Sequence, residues 1–172
     1  MNEQRWLILI YRIPREPSRP RVAVWRKLKA LGALYLQDGV VALPDDAVTR
    51  EQLEWLQLRV KEAGGEATLW EGQPNTRAES GQLVEAFRSS REAAYKDLIA
   101  KAERIRRKAL MGNGQTLLEE LVKLERAFRT ERRRDYFHSP LRKEASQVLK
   151  ATREAVRGGE STVSELGTVG GG

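Results

Sequence analysis

Ala33-Leu34-Tyr35-Leu36-Gln37-Asp38-Gly39-Val40-Val41-Ala42-Leu43-Pro44 is the stretch from which the fold is read. Asp38-Gly39 stands between two apolar runs. Asp-Gly there is a strong hairpin signal, because a type I′ turn needs positive φ at both central positions. Upstream, Trp6-Leu7-Ile8-Leu9-Ile10-Tyr11 is a short apolar run with β-branched residues, expected as a central strand buried on both faces. Pro14, Pro17 and Pro20 punctuate the loop after it. Ser18 reads as the N-cap of a helix over 19–31, with Pro20 in the first turn, where its missing N–H costs nothing. Val22, Trp25, Leu28 and Leu31 fall on its expected buried face, and Gly32 is the left-handed stop.

Downstream, Thr49 with Gln52 reads as a capping box opening a helix over 49–63, with Leu53, Leu56 and Val60 as its apolar stripe. Gly64-Gly65 ends it, and Glu66-Ala67-Thr68-Leu69-Trp70 is the last strand. Two hairpin-linked strands between two helical crossovers predict a ferredoxin-like split βαβ sandwich over residues 1–72. Its sheet has four antiparallel strands with both helices on one face. Trp6, Trp25, Trp55 and Trp70 are all read as packing residues.

From residue 73 the period changes to that of helices, and the fold class is α+β. Tyr95, Leu98, Ala102, Ile105 and Ala109 form a heptad-like seam. Leu117, Leu121, Leu124 and Phe128 form a second, and Leu141, Ala145, Val148 and Thr152 a third. Met111-Gly112-Asn113-Gly114 breaks the first helix from the next. Ser139 as cap, with Pro140 in the first turn, opens the last. Residues 73–157 are therefore expected as a three-helix bundle or antiparallel helical arm. Residues 158–172, rich in Gly, Ser and Thr, are expected as a disordered tail.

The charge is unevenly shared. Of the formal +7, residues 1–72 hold 11 Lys/Arg against 10 Asp/Glu, while residues 73–157 hold 20 against 12. Such an excess in one half suits a polyanion such as DNA, although a solvated helix face has the same composition. The sequence contains no Cys and one His, so thiolate metal sites, thiol redox sensing and histidine acid–base chemistry all lack parts. No apolar run approaches the roughly 20 residues of a bilayer span. The first residues lead into a strand with no apolar signal core, so a cytoplasmic protein without membrane contact is expected. No nucleophile–base pair is visible, and the chain is read as a non-enzyme with no cofactor and no metal.

Three segments carry a family resemblance: the run from Trp6 to Pro14, the helix ending Leu28-Lys29-Ala30-Leu31-Gly32-Ala33, and Leu36-Gln37-Asp38-Gly39-Val40-Val41-Ala42-Leu43-Pro44. They resemble the N-terminal domain of the chromate-resistance regulator ChrB. The likeness continues through Phe87-Arg88-Ser89-Ser90-Arg91-Glu92-Ala93-Ala94-Tyr95 and Arg133-Arg134-Asp135-Tyr136-Phe137, covering about residues 5–150. Members usually carry a second, C-terminal domain, and these 172 residues end in a Gly-rich stretch without one. The strand–helix–hairpin pattern is more distantly similar to the central domain of PaaX-type repressors and to the small CRISPR-associated endonuclease. In the endonuclease family an acid after the first strand helps hold a metal; here Arg12 stands in that neighbourhood.

Two groups of basic residues are the candidate sites. Arg12, Arg15, Arg19 and Arg21 crowd the start of the first helix, where free N–H groups, the helix dipole and Arg forks suit a tetrahedral oxyanion. The functional reading is a phosphate contact or chromate itself; the plainer one is surface pairing with Glu16, Asp45 or Asp46. Arg132, Arg133 and Arg134, with Arg142 and Lys143, form the densest cluster. Arg104, Arg106, Arg107 and Lys108 form the next, and both are read as phosphate contacts beside a solvated-face alternative. Tyr136 and Phe137 are read as a helix–helix corner rather than a base-stacking pair.

The family resemblance implies a DNA-binding transcriptional regulator of chromate resistance, expected as a homodimer. The alternative is a dimerisation or protein-interaction module working with a separate C-terminal-type partner.

Overall fold

The computed structural model describes residues 4–112 and 117–166, with side chains through residue 158. The chain is α+β: a four-stranded antiparallel sheet with two interleaved helices, then three helices that pack together. Its contacts divide it into two compact units, Met1–Phe87 and Arg88–Gly172.

In the first unit the order is β1 (Trp6–Arg12), α1 (Ser18–Leu31), β2 (Leu34–Gln37), β3 (Val40–Pro44), α2 (Ala47–Glu62) and β4 (Glu66–Gly72). The strands lie in the order β2-β3-β1-β4, and every neighbouring pair is antiparallel. β1 is central, paired Leu7 to Leu43 and Leu9 to Val41 on one side, and Leu9 to Leu69 on the other. Because successive side chains alternate, Leu7, Leu9, Val41 and Leu43 share one face, and all four are fully buried. α2 packs on β1 and β4 and against α1, burying Leu53, Leu56 and Val60 beside Val24 and Leu28.

The opposite face is covered only at one end. Trp6 stacks on Phe87 of α3 (Arg77–Leu110), with ring centroids 5.3 Å apart. Further along that face Ile10 and Trp70 are 43% and 58% exposed, so β1 is not buried on both faces as its composition suggests. Trp25 and Trp55 are also exposed, at 47% and 49%, which corrects the reading of all four tryptophans as packing residues. Of the stripe expected on α1, Leu28 is fully buried and Leu31 partly so, whereas Val22 and Trp25 are exposed and Val24 is buried in their place.

Local signals resolve one to three positions away from where the sequence suggests. Asp46, not Thr49, is the N-cap of α2: its carboxylate accepts from Val48 N–H (2.9 Å) and Thr49 N–H (2.8 Å). Thr49 Oγ1 accepts from Asp46 N–H (3.1 Å), closing the box from inside the helix. Pro17, not Ser18, precedes α1, and no side chain caps that end. Its φ of −66° and ψ of 145° already set the extended approach that a cap residue takes. At the hairpin, Gly39 has φ +73° while Asp38 keeps negative φ, so the turn is not type I′. A register shift between Tyr35 and Gln37 supplies the twist that a primed turn would otherwise give. A Cβ on Gly39 would strike the carbonyl of Tyr11, whose N–H donates to Gly39 O at 2.8 Å.

The second unit holds the rest of α3, α4 (Leu118–Arg133) and α5 (Leu141–Leu166). Its core joins Tyr95, Leu98, Ala102, Ile105 and Ala109 of α3 to Leu121, Leu124 and Phe128 of α4, with Leu117 just before that helix. On α5 the buried stripe is Ala145, Leu149, Thr152 and Val156; Val148 and Leu141 are only partly buried. Thr152 is fully buried, and its hydroxyl reaches Ala102 O (3.1 Å) and Val148 O (2.8 Å), so α5 is tied to α3 without an unsatisfied donor. Of the break expected at 111–114, Met111 and Gly112 form a turn, and 113–116 lie outside the described residues. α5 continues to Leu166, through the Gly158-Gly159 pair assigned to a tail. A glycine costs a helix about 1 kcal/mol relative to alanine, too little by itself to stop one. Residues 167–172 lie outside the described residues.

Candidate nucleic-acid interface

The corner between α4 and α5 is built on two buried carboxylates. Asp135, 4% exposed, accepts from the Tyr95 hydroxyl (2.9 Å) and from Ser139 N–H (2.9 and 3.2 Å). Burial, and then that hydrogen bond, hold the Tyr95 phenol well above its usual value. Glu131 lies between Arg134 and Arg91, the latter at 3.4 Å. Desolvation, reinforced by the charge of Arg134, lowers the pKa of Arg91 against the opposing pull of Glu131. Arg88 Nε donates to Phe137 O at 3.0 Å, pinning the same turn, and Tyr136 and Phe137 are part-buried there. These contacts set the angle at which α4 and α5 diverge.

Between the two helices lies a groove of about 890 Å³. Arg129 and Arg132 of α4 face Arg142, Lys143, Lys150 and Arg153 of α5 across it, over a floor that includes Phe128 and Leu149. Glu125 also lines the groove, and Arg153 holds it at 2.6 Å. Among the described residues, no carboxylate lies within 4 Å of the cationic groups of Arg129, Arg132, Arg142, Lys143 or Lys150. Five uncompensated cations in one concave surface make a field that attracts an extended polyanion. The N-terminus of α5 opens into the same groove, adding the positive end of a 26-residue helix.

The sequence-predicted cluster is thus divided by the fold. Arg132, Arg142 and Lys143 line the groove; Arg133 is exposed outside its lining; Arg134 is turned inward to Glu131. Arg129, Lys150 and Arg153 were not singled out from sequence. Their signal was present as helical spacing: 125, 129 and 132 on one helix, 143, 146, 150 and 153 on the next. Arg104, Arg106, Arg107 and Lys108 are exposed on α3 and do not join the groove. Arg104 borders a smaller depression beside Lys101, Lys123 and Glu120, and Lys108 pairs with Glu120 at 3.6 Å.

The four arginines near α1 are also separated. Arg12, Arg15 and Arg21 line a cleft of about 840 Å³ with Tyr11, Trp25 and Tyr35. Asp38 lies in the same cleft, and Arg12 reaches Glu66 at 3.2 Å with both side chains largely in water. Burial, and then the hydrogen bond that the Tyr35 hydroxyl shares with Tyr11 (3.3 Å between hydroxyls), raise the Tyr35 pKa. Arg19 instead borders a groove between α1 and α2 with Arg26, Lys27, Trp55 and Arg59. Lys27 and Arg59 stand 5.8 and 5.5 Å from the Trp55 ring centroid, and Lys29 stands 4.8 Å from that of Trp25. The exposed indoles are therefore covered by cations rather than by core. Asp45, expected as a surface partner for this group, is held by Arg50 at 2.8 Å.

Among the described residues no three His, Asp or Glu converge as metal ligands, and no helix is long and apolar enough to cross a membrane. The family model for the N-terminal part of Protein ChrB matches residues 21–165, from α1 to the end of α5. Protein ChrB of Cupriavidus metallidurans is 41% identical over 54 residues, a stretch that spans 31% of this chain and 17% of that protein. With the family model covering most of both units, this chain belongs to the ChrB N-terminal family.

Proposed function

We propose that this chain is a cytoplasmic, DNA-binding transcriptional regulator of chromate resistance that grips backbone phosphates in the α4/α5 groove. The observation that carries this reading is the set of five cations there with no acidic partner. Cations held without a partner on a soluble surface repel one another, and a polyphosphate relieves that repulsion by releasing its counterions. Such contacts fix position and register and carry no sequence information of themselves. The sheet unit serves as the scaffold; its strand order and two helical crossovers support the ferredoxin-like description. Arg12, Arg15 and Arg21, which share one cleft, are the sites assigned to chromate in this reading.

A titration of the protein against its own upstream DNA and a scrambled duplex, at two salt concentrations and with or without chromate, tests the proposal. Tight, sequence-dependent binding released by chromate supports it. Equal or negligible binding to both duplexes overturns it.

One observation favours a second reading, a homodimerisation or partner-binding module that works with a separate C-terminal-type protein. Ile10 and Trp70 remain exposed on the sheet face opposite α1 and α2. A face of that kind is a ready surface for a second copy. Sedimentation of the wild type beside Trp70→Ser separates the readings: a dimer lost in the variant, without DNA binding in either, favours the module.

A further inference from the structure

The start of α5 carries a feature that the groove's charge does not explain. Ser139 is 3% exposed, and its Oγ is buried with no hydrogen-bond partner among the described residues. Its own N–H is taken by Asp135 and its carbonyl by Arg142 N–H (3.0 Å), so the turn is satisfied without the hydroxyl. A buried hydroxyl left unpaired is costly and rarely kept. Ser139 lines the α4/α5 groove, together with Arg132, His138, Arg142 and Lys143. The N-terminus of a long helix adds the N–H groups of Leu141 and Lys143, that of Arg142 being given to Ser139 O, and the positive end of its dipole at the same point.

We propose that this corner is a seat for one tetrahedral oxyanion of the phosphate type, held by Ser139 Oγ, the N–H groups of Leu141 and Lys143, and the side chains of Arg132, Arg142 and Lys143. Seating it takes a rotation of the Ser139 side chain about Cα–Cβ, which turns the sealed hydroxyl toward the groove. Asp135 is the opposing charge bonded to this turn, and its oxygens are already engaged by the Tyr95 hydroxyl and Ser139 N–H; Glu144, in the first turn of α5, is exposed to solvent and does not line the groove. Glu125 is neutralised by Arg153. The proposal deepens the DNA reading by naming the point where a backbone phosphate would dock. A free inorganic oxyanion offers the same chemistry.

The test is a calorimetric titration of the full chain with inorganic phosphate at low ionic strength, with chloride at matched ionic strength as control. One saturable site is expected, about tenfold weaker in Ser139→Ala, as loss of one hydrogen bond to a charged group predicts. The site should be lost in Arg142→Gln/Lys143→Gln, whose changes lie at the protein surface. Phosphate binding that chloride reproduces, or binding unchanged in Ser139→Ala, overturns the seat. Competition with duplex DNA distinguishes the source. Phosphate that displaces DNA, with both weakened in Ser139→Ala, identifies a backbone phosphate. A phosphate site that DNA leaves unaffected identifies a free oxyanion. A protein that binds phosphate but no DNA keeps the seat and loses the regulator reading, whereas DNA binding without a phosphate site does the reverse.

Discussion

Replacing Arg132, Arg142 and Lys143 together by Gln removes three of the five unpaired cations of the α4/α5 groove while leaving its other lining residues in place. If all five contact phosphates, the slope of log K against log salt is about −4.5 for duplex DNA, and affinity falls about 500-fold between 50 and 200 mM salt. With two contacts left the slope flattens to about −1.8, and the same change of salt costs about 12-fold. Fluorescence anisotropy of a labelled duplex across that range gives both slopes. The comparison does not depend on knowing the operator, because phosphate contacts are blind to sequence. Neither Arg132, Arg142 nor Lys143 forms a salt bridge among the described residues, so circular dichroism of the triple variant should match the wild type. A variant with weaker binding but an unchanged slope would refute the reasoning, since the lost contacts would then not be phosphate contacts.

Asp135→Ala strands the Tyr95 hydroxyl and Ser139 N–H in the interior, and at about 1–3 kcal/mol for each lost partner the helical unit should lose roughly 2–6 kcal/mol in urea unfolding. A loss under 1 kcal/mol would show that the corner does not rest on this carboxylate. Tyr95 has a folded pKa raised above the ordinary value near 10, chiefly by burial and then by Asp135. The folded state therefore keeps a proton that the unfolded chain releases, and its contribution to stability, full below pH 10, is lost as pH rises beyond that. Tyr95→Phe should flatten the alkaline fall in stability in melts between pH 9 and 11; an identical fall in the variant would assign it elsewhere. Gly39→Ala forces a side chain into positive φ against the Tyr11 carbonyl, at a cost of about 2 kcal/mol or more. A melting temperature equal to the wild type would contradict the hairpin geometry.

What the sequence made legible was local. Asp38-Gly39 located the hairpin, Gly32 ended α1, and the seam from Tyr95 to Ala109 is the buried face of α3. These signals depend on the φ preference of one residue or on a period sustained over several turns. The cap of α2 was missed by three positions because Asp46 and Thr49 are two halves of one box, and either half reads as its start. Trp25 and Trp55 misled because a large ring on an amphipathic helix is read as buried, whereas flanking Lys and Arg can cover it instead. The groove was half visible. The run Arg132-Arg133-Arg134 is dense in sequence, yet successive helix residues point about 100° apart, so one reaches the groove, one reaches solvent and one reaches Glu131. Arg129, Lys150 and Arg153 became partners of Arg132 only once α4 and α5 packed together.

All four tryptophans lie in the first unit, Met1–Phe87. Intrinsic fluorescence is therefore an optical label for the sheet alone, and the helical unit is dark at those wavelengths. Trp6 against Phe87 should emit to the blue of the three solvent-facing indoles, so excitation near the red edge favours the latter. Far-ultraviolet dichroism, dominated by α3 to α5, follows the other half. Unfolding curves recorded by the two signals on one sample, with no dye or inserted probe, then report whether the sheet and the helices melt as one body or in turn.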